Sequence, residues 1–235
     1  MRMTPLEDTD RKKRTIRSFV RRSGRLTASQ QLALKELWPQ YGLEFEERPL
    51  DFALLFANKA PTTLEIGFGN GETLLQQAGE NPASNFLGIE VHQPGIGHCL
   101  IGAREAGLEN LRLVAHDAIE VLQQQVPNNC LQRINLYFPD PWPKKRHHKR
   151  RIVQASLLTL CADRLKTGGA LHIATDWANY AEHIDAVVNE SNRFVVAERR
   201  EHNGDRPLDR PRTKFEQRGL QRGHHIWDWR FDQLN

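Results

Sequence analysis

Short apolar segments alternate with helix-like segments from residue 61 onward, and this alternation constrains the fold more than any other feature of the chain. It predicts strands at 62–67, 86–91, 111–115, 133–138, 170–175, 194–198 and 225–231, with helices beginning near residues 71 and 94 and covering about 118–125, 150–165 and 178–190. Strands and helices that alternate in this way form an α/β fold with a doubly wound, mostly parallel sheet. The sequence therefore predicts such a sheet of seven strands. Because these sheets bind ligands at the carboxyl ends of their strands, a site is expected there.

The chain of 235 residues is long enough for one domain of this kind with an appendage. Residues 1–25 are polar, basic and without periodicity, so we expect an N-terminal arm that is disordered in the absence of a partner. The folded domain is then expected to span 26–235. Thr27, followed by a periodic apolar segment up to Leu37, predicts a capped helix at its start.

Composition argues against several classes of protein. Cys99, Cys130 and Cys161 form no C-x-x-C pair, and the adjacent histidines lack the i, i+4 spacing of metal ligands, so neither a disulfide framework nor a metal site is expected. No apolar stretch approaches the roughly 20 residues of a membrane span, and the N-terminus lacks the apolar core of a secretory signal. We therefore expect a cytoplasmic protein that does not contact membranes.

Positive charge is concentrated in three parts of the chain, although the formal net charge is only +4. The basic clusters lie at residues 11–25, 144–151 and 206–222. Three separated clusters indicate a distributed surface for a polyanion such as a nucleic acid. Each cluster taken alone is equally well explained by solubility.

The segment between the fourth predicted strand and the second basic cluster has an unusual composition. It reads Tyr-Phe-Pro-Asp-Pro-Trp-Pro from 137 to 143 and continues directly into the basic run. Pro139 and Pro141 have a fixed φ and no N–H, so they hold Asp140 on a stiff turn between the flat faces of Phe138 and Trp142. This arrangement predicts a place where a planar base meets a carboxylate while its phosphate backbone is bound nearby. A solvated proline-rich loop is the alternative.

A glycine-containing turn follows the first predicted strand. The sequence Glu65-Ile66-Gly67-Phe68-Gly69-Asn70-Gly71 has the spacing G-x-G-x-G, which differs from the G-x-G-x-x-G of dinucleotide-binding enzymes. Gly67 and Gly69 allow a ligand to approach the backbone closely. The preceding acid favours a ligand with cationic or hydroxyl donors over a pyrophosphate. An ordinary tight turn between a strand and a helix is the alternative.

Acidic residues also follow the next three predicted strands. Glu90 is placed to accept both ribose hydroxyls of a nucleoside, Asp117 to accept from an adenine amino group, and Asp140 ends the fourth strand. A helix N-cap is the alternative for Glu90 and Asp117. A carboxylate-lined pocket in a basic protein suits a cationic nucleoside. S-adenosylmethionine, with its sulfonium, amine, ribose and adenine, meets each of these requirements.

Two further acids are candidates for recognising a nucleobase. Asp176 follows the fifth predicted strand, and Glu216 ends the Thr-Lys-Phe-Glu segment at 213–216. One carboxylate can accept both the N1–H and the N2–H₂ donors of guanine, so Asp176 or Glu216 is expected to select guanine. Helix capping for Asp176 and a solvated loop for Glu216 are the alternatives.

Taken together, these motifs resemble those of the bacterial tRNA (guanine-N7-)-methyltransferases. The resemblance runs from Arg17 to Thr27, through the glycine turn and 88–92, to the Pro-Asp-Pro-Trp segment with its basic run, and on to 174–177 and 213–219. It implies a class I methyltransferase fold of the Rossmann-like type. It also implies methyl transfer from S-adenosylmethionine to N7 of guanine 46 in the tRNA variable loop, with S-adenosylhomocysteine as product.

The resemblance implies roles for individual residues, with Asp140 as the catalytic residue. The residues that would contact the methyl donor are Glu65, Gly67, Gly69, Glu90, Asp117 and Asp140. Those that would contact the substrate are Lys144, Asp176, Thr213, Lys214, Phe215 and Glu216, and those that would contact RNA are Arg146, His147, His148, Lys149, Arg150 and Arg151. The expected partner is tRNA. Neither a metal nor an obligate protein partner is implied, and the chain is expected to act as a monomer or a homodimer.

Three other functions fit part of the sequence. The glycine spacing and Glu65 argue against the first, a NAD-linked oxidoreductase. The second, a non-enzymatic RNA-binding protein, would keep the basic clusters but would not need acids at four strand ends. A methyltransferase for another nucleobase atom is the nearest alternative.

Overall fold

The computed structural model describes residues 18–19, 24–204 and 209–234. Within these residues a single sheet has eight strands, in the order β1-β4-β3-β2-β5-β6-β8-β7. The strands are β1 (Gly42–Leu43), β2 (Thr62–Ile66), β3 (Asn85–Ile89), β4 (Leu111–Val114), β5 (Leu131–Tyr137), β6 (Leu165–Thr175), β7 (Phe194–His202) and β8 (Ile226–Gln233).

The sheet is mostly parallel, as predicted. Strands β1 to β6 pair in parallel, and β8 runs antiparallel between β6 and β7. The strand count exceeds the predicted seven because β1, at the sheet edge beside β4, has only two residues. A segment this short carries no periodicity in the sequence.

Helices cover both faces of the sheet. They are α1 (Ala28–Glu36), α2 (Trp38–Tyr41), α3 (Phe52–Phe56), α4 (Glu72–Glu80), α5 (Gln93–Glu105), α6 (Ala118–Gln124), α7 (Ala155–Arg164), α8 (Ala178–Asn189) and α9 (Lys214–Gln221), with a 3₁₀ helix at Lys145–Arg150. Apolar residues of α6, α7 and α8 form one buried cluster with strand residues such as Trp229. Residues of α1, α2, α4 and α5 form a second cluster with Phe86, Leu111 and Leu113.

The predicted cap at Thr27 is confirmed. The Thr27 hydroxyl oxygen accepts from the Gln30 backbone N–H at 3.2 Å, and the Gln30 side chain accepts from the Thr27 N–H at 2.9 Å. The Gln30 amide also donates to the carbonyl oxygen of Pro94 on α5. Mutual capping of this kind satisfies two backbone donors at the start of α1 and fixes that end of the helix against α5.

The helix predicted near 150–165 corresponds to α7, and a separate 3₁₀ helix precedes it. The 3₁₀ helix ends at Arg150, and α7 begins only at Ala155. Residues 165–169, between the predicted helix and the predicted strand, belong to β6, and Gly168 and Gly169 lie where its pairing jumps from Leu131–Leu165 to Arg133–Ala170. Gly168 has φ of 76°, so these glycines form a bulge within the strand.

No helix among the described residues is long and apolar enough to cross a membrane. The predicted arm at 1–25 lies largely outside the described residues. Four of its residues are described, Ser18, Phe19, Gly24 and Arg25, and the first two lie at the carboxyl edge of the sheet.

Candidate active site

A cavity of about 440 Å³ opens at the carboxyl ends of β2, β3 and β5. Its lining includes many of the predicted site residues: Glu65, Gly67, Gly69, Glu90, Asp140, Thr213, Lys214 and Phe215. A larger cavity, of about 730 Å³, lies beside α4 and residues 209–212 and is lined by none of the predicted site residues. We therefore place the candidate active site in the smaller cavity, which we call the strand-end cavity.

The glycine turn after β2 shapes one wall of the strand-end cavity. Gly67, Gly69 and Gly71 all have positive φ, between 59° and 82°. A Cβ at Gly67 would meet no atom within 4 Å, whereas a Cβ at Gly71 would lie 2.4 Å from the Cys99 sulfur. Gly71 is therefore required for packing, while the backbone at Gly67 borders open space that a ligand can approach.

Glu65 is buried at the strand-end cavity, and one of its carboxyl oxygens has no hydrogen-bond partner among the described residues. Its side chain is 3% exposed, and the unpaired oxygen is Oε2. Burial raises the pKa of Glu65 to about 8; the charge of Arg210 opposes this shift and that of Glu90 adds to it. A buried carboxyl with an unpaired oxygen is the group expected where a cationic ligand supplies the missing partner.

Glu90 is already held by backbone donors. Its Oε2 accepts from the Gly69 N–H at 2.8 Å, and its Oε1 accepts from the N–H groups of Val91 and His92 at 2.6 and 3.0 Å. These bonds fix the carboxylate at the rim of the strand-end cavity. Carboxylate oxygens have further lone pairs, so both can still accept from ligand hydroxyls.

Asp117 is the N-cap of α6. Its Oδ1 accepts from the Ile119 N–H at 2.9 Å, which is the alternative role considered from the sequence. Asp117 is absent from the cavity lining, but its neighbours His116 and Ala118 line it. His116 stacks on Phe45 with ring centroids 3.8 Å apart. The predicted adenine contact of Asp117 remains a prediction, and His116 is a lining residue that the sequence reasoning missed.

Asp140 lies exposed at the mouth of the strand-end cavity, on a turn with unusual backbone angles. Phe138 and Trp142 on either side of the Pro-Asp-Pro unit have φ of 51° and 46°. This left-handed region is uncommon for residues other than glycine and costs free energy, so neighbouring contacts must hold the turn. One such contact is the Trp142 indole N–H, which donates to the Ser18 carbonyl oxygen at 3.0 Å.

The basic run at 144–151 is accessible over most of its length, but its last residue is buried. Lys144, Arg146 and Lys149 are exposed, and His147, His148 and Arg150 are partly exposed. Arg151 is only 2% exposed and its guanidinium is bound to other parts of the protein. The structure thus places five of the six predicted RNA-binding residues together with Lys144 on an accessible segment and buries the sixth.

Asp176 lies outside the strand-end cavity lining but at the same edge of the sheet. Its Oδ2 atom is 3.2 Å from the Nδ1 atom of His224. A Cβ at Gly219 of α9 would lie 2.9 Å from the same oxygen, so a glycine is needed there. The carboxylate is about 29% exposed and remains accessible to a base.

Glu216 is completely buried and already paired. Its Oε2 accepts from the Arg210 Nη1 at 2.6 Å, and Arg210 in turn binds both carboxylate oxygens of Asp228, at 2.6 and 2.8 Å. Burial alone would raise the pKa of Asp228, but the nearby His172 and the hydrogen-bonded guanidinium of Arg210 outweigh it and hold that pKa far below its usual value. Glu216 thus anchors α9, while the neighbouring Phe215 is 57% exposed and Lys214 pairs with Glu72.

The residues present fit the predicted methyl donor. The buried, unpaired Glu65 matches a cationic amine, the open backbone at Gly67 allows close approach, and the fixed Glu90 matches ribose hydroxyls. Among the described residues, no group of histidine, cysteine and acidic side chains could hold a metal ion.

Comparisons with known proteins show the family of the chain. Residues 59–229 match the model of a family described as putative methyltransferase. A tRNA (guanine-N(7)-)-methyltransferase of Yersinia enterocolitica is 51% identical over 97% of this chain and 95% of its own length. One of Idiomarina loihiensis is 51% identical over 93% of this chain and 89% of its own length.

Solved structures share the fold at low sequence identity. A 16S rRNA (adenine(1408)-N(1))-methyltransferase variant from Catenulisporales acidiphilia, with cosubstrate SAM, superposes with a TM-score of 0.56 at 18% identity, covering 79% of this chain and 92% of that one. The 16S rRNA methyltransferase KamB has a TM-score of 0.57 at 15% identity, covering 78% and 93%. The fold is that of the S-adenosylmethionine-dependent methyltransferases, and the chain belongs to the family of the tRNA (guanine-N(7)-)-methyltransferases.

Proposed function

We propose that this protein transfers a methyl group from S-adenosylmethionine to N7 of a guanine in tRNA. The observation that carries the proposal is the strand-end cavity, where an unpaired buried carboxyl of Glu65 and an exposed carboxylate of Asp140 lie beside an accessible basic segment. The name shared by relatives at 51% identity supports the same activity. From the family resemblance we further propose guanine 46 of the variable loop as the target, and the cytoplasm as the compartment.

The methyl donor would be bound by the polar groups of the strand-end cavity. Glu65 would pair with its amine, Glu90 would accept from its ribose hydroxyls, and Gly67 and Gly69 would leave room for its chain. When bound, the donor supplies a methyl group on a positively charged sulfur. A cavity with several carboxylates favours this cationic form over neutral nucleosides.

The chain's own residues need not remove a proton. N7 of guanine carries a free lone pair, so Asp140 is not required as a general base. The transfer moves positive charge onto the purine ring, and a carboxylate close to that ring stabilises it. Two unit charges about 4 Å apart, at an effective dielectric near 20, interact by roughly 4 kcal/mol before desolvation is counted. Only the part gained beyond the ground state accelerates the step.

Asp176 is the better placed of the two candidates for recognising guanine. Its carboxylate is accessible, whereas that of Glu216 is buried and bound to Arg210. We therefore propose that Asp176 accepts from N1–H and N2–H₂ of the base. Glu216 would act indirectly, by holding Thr213, Lys214 and Phe215 at the mouth of the strand-end cavity.

Phosphates of the tRNA would be bound by the exposed part of the basic run. Lys144, Arg146 and Lys149 are accessible, and His147 and His148 lie among them. Burial lowers the pKa of His147, and the neighbouring cations lower it further, so this side chain is favoured in its neutral form. Lysine and arginine would therefore supply the charge that binds phosphate.

The test is labelled methyl transfer by the purified chain alone to unmodified tRNA, followed by nucleoside mass analysis. The expected result is incorporation of label as 7-methylguanosine, at position 46 when the RNA is mapped. Methylation of a different base atom would indicate the nearest alternative activity. Absence of transfer, together with binding of a nicotinamide cofactor in calorimetry, would indicate an oxidoreductase instead.

A further inference from the structure

Arg151 ends the basic run but does not behave as a surface cation. It is 2% exposed, while Lys149, two residues earlier, is exposed. Phosphates bind cations that reach solvent, because the gain in affinity comes from release of condensed counterions. A guanidinium enclosed by protein cannot contribute in this way, so Arg151 requires a different explanation.

The guanidinium of Arg151 binds three oxygen atoms, one on the turn after β5 and two on the first turn of α8. Its Nε donates to the Pro141 carbonyl oxygen at 3.0 Å. Its Nη1 and Nη2 donate to the backbone carbonyl and side-chain oxygens of Asn179, at 3.2 and 2.8 Å. The ring of Tyr180 lies under the guanidinium, with the central carbon 4.8 Å from the ring centroid.

The two segments that Arg151 joins lie next to the two carboxylates proposed to contact guanine, those of Asp140 and Asp176. Pro141 is the residue after Asp140, on the turn that follows β5. Asn179 lies in the first turn of α8, three residues after Asp176 at the end of β6. Strands β5 and β6 are neighbours in the sheet, so one side chain spans both strand ends.

In the described part of the chain, Arg151 forms no ion pair with a carboxylate. A buried charge without a charged partner is costly, so charge neutralisation does not explain its position. A planar fork of donors, by contrast, fixes several oxygen atoms at set distances and angles in a way that a lysine cannot. The geometry of the contacts is the feature that only arginine supplies.

The turn that carries Asp140 needs such support. Phe138 and Trp142 have left-handed backbone angles, which persist only where surrounding contacts determine them. Arg150 also contacts the turn, with its guanidinium 4.0 Å from the Trp142 ring centroid, and it donates a hydrogen bond to the Phe19 carbonyl oxygen. Arg151 contacts the same turn through its hydrogen bond to the Pro141 carbonyl oxygen.

We propose that Arg151 is a positioning residue that fixes Asp140 relative to Asp176 across the ends of β5 and β6, and that it does not contact tRNA phosphate. This inference rests on the proposed function, because Asp140 and Asp176 would contact the same guanine. Catalysis by positioning is sensitive to small displacements, and a shift of about 1 Å can reduce the rate on the order of 100-fold.

The experiment compares Arg151→Met and Arg151→Lys with the unaltered chain. We expect kcat for methyl transfer to fall on the order of 10- to 100-fold in Arg151→Met, with a smaller loss in Arg151→Lys, which keeps one donor. The dissociation constants for S-adenosylhomocysteine and for tRNA should stay within about twofold, and the slope of log binding constant against log salt concentration should not change.

Two matched variants serve as controls. Lys149→Met removes an exposed cation of the same segment and should reduce the magnitude of the salt slope by about 0.7 to 0.9. Lys59→Met removes an exposed cation just before β2, at the opposite edge of the sheet, and should change neither kcat nor the slope.

Several outcomes would overturn the inference. A fall in salt slope for Arg151→Met equal to that of Lys149→Met would make Arg151 a phosphate contact, and unchanged kcat would remove its positioning role. If Arg151→Met does not fold, Asn179→Ala takes its place, since this change removes the Nη2 acceptor together with an exposed hydrogen bond from Asn179 to Glu182. An unaltered kcat in both Asn179→Ala and Arg151→Lys would also refute the inference. An unaltered chain that fails to methylate tRNA would refute the proposed function instead.

Discussion

At the residue scale, the most informative group is Glu65, because its surroundings oppose its charge. The carboxyl is buried, Oε2 lacks a partner among the described residues, and its pKa is raised to about 8. Because the folded chain favours the protonated form of Glu65, this group stabilises the folded state most at a pH below its ordinary pKa of 4.5. That contribution to stability is lost as the pH rises toward 8. The cost of ionising Glu65 is therefore greatest when no cation is bound.

Binding of S-adenosylhomocysteine is expected to depend on pH through Glu65. The proposed pairing of this ligand's amine with the ionised carboxylate predicts that its affinity rises between about pH 6 and 7.5, by up to about tenfold per pH unit. Isothermal titration at several pH values measures this rise. Glu65→Gln keeps the shape of the protonated carboxyl and should bind weakly with little pH dependence over the same range. An equally steep pH dependence in the Gln variant would assign the effect to another group.

The roles of single acids were only partly predictable from the sequence. The positions of Glu65 and Glu90 follow from the strand pattern, and both line the strand-end cavity. The burial of Glu216 was not predictable, because its partner Arg210 is bound to Asp228 of a later strand. Pairing between distant charges depends on the completed fold. The prediction that Arg151 lies on the RNA-binding surface failed for the same reason. The sequence of a basic run is the same whether its last side chain faces solvent or the protein interior.

At the scale of elements, α9 depends on buried charges. Thr213 caps the helix by accepting from the Glu216 N–H at 3.0 Å, and Glu216 is joined through Arg210 to Asp228 on β8. The pattern of a threonine followed three residues later by a glutamate is a known helix-start signal, so α9 could have been predicted where a loop was considered. The ion pair then fixes this helix against the sheet.

Replacement of Arg210 is expected to destabilise the protein strongly. Arg210→Met leaves two buried carboxylates without their cation, which should lower the free energy of unfolding by about 3–5 kcal/mol. Urea denaturation followed by circular dichroism measures the loss. Arg218→Met, an exposed change on the same helix, should stay within about 0.5 kcal/mol of the unaltered chain. Similar stabilities for the two variants would show that the buried pair is not needed.

Most of the sheet was predictable at this scale, and the exceptions have local causes. Strands β2 to β6 and β8 follow apolar segments that bury most of their side chains, whereas β7 buries only Phe194 and His202 and was predicted from its first five residues. The start of β6 was missed because two glycines there form a bulge where a helix end was expected. The 3₁₀ helix at Lys145–Arg150 was not predicted, because its six residues are polar and basic and lack an apolar face.

At the scale of the whole molecule, negative and positive side chains lie in different places around the site. The carboxylates gather at the strand ends, while exposed cations of the basic run lie next to the mouth of the strand-end cavity. A negatively lined cavity within a positive surface allows the protein to hold a cationic donor and a polyanionic substrate at the same time. The parallel sheet makes this possible, because it brings the ends of successive strands to one edge.

Binding of tRNA is expected to weaken steeply with salt, and the exposed cations should account for part of that dependence. The double variant Lys145→Met, Arg146→Met should reduce the magnitude of the salt slope by about 1.4 to 1.8, if each cation contacts one phosphate. Filter binding or fluorescence anisotropy at several salt concentrations measures the slope. Affinity for S-adenosylhomocysteine should not change, and an unaltered slope would move the RNA surface elsewhere on the protein.

The central claim is that Asp140 stabilises the positive charge that methyl transfer places on guanine. The most direct measurement is single-turnover methyl transfer by Asp140→Asn with saturating donor and tRNA, because it isolates the chemical step from binding. Loss of a preorganised charge should reduce the rate on the order of 100- to 1,000-fold, while tRNA affinity stays within about twofold. A rate within a few-fold of the unaltered chain would contradict the claim.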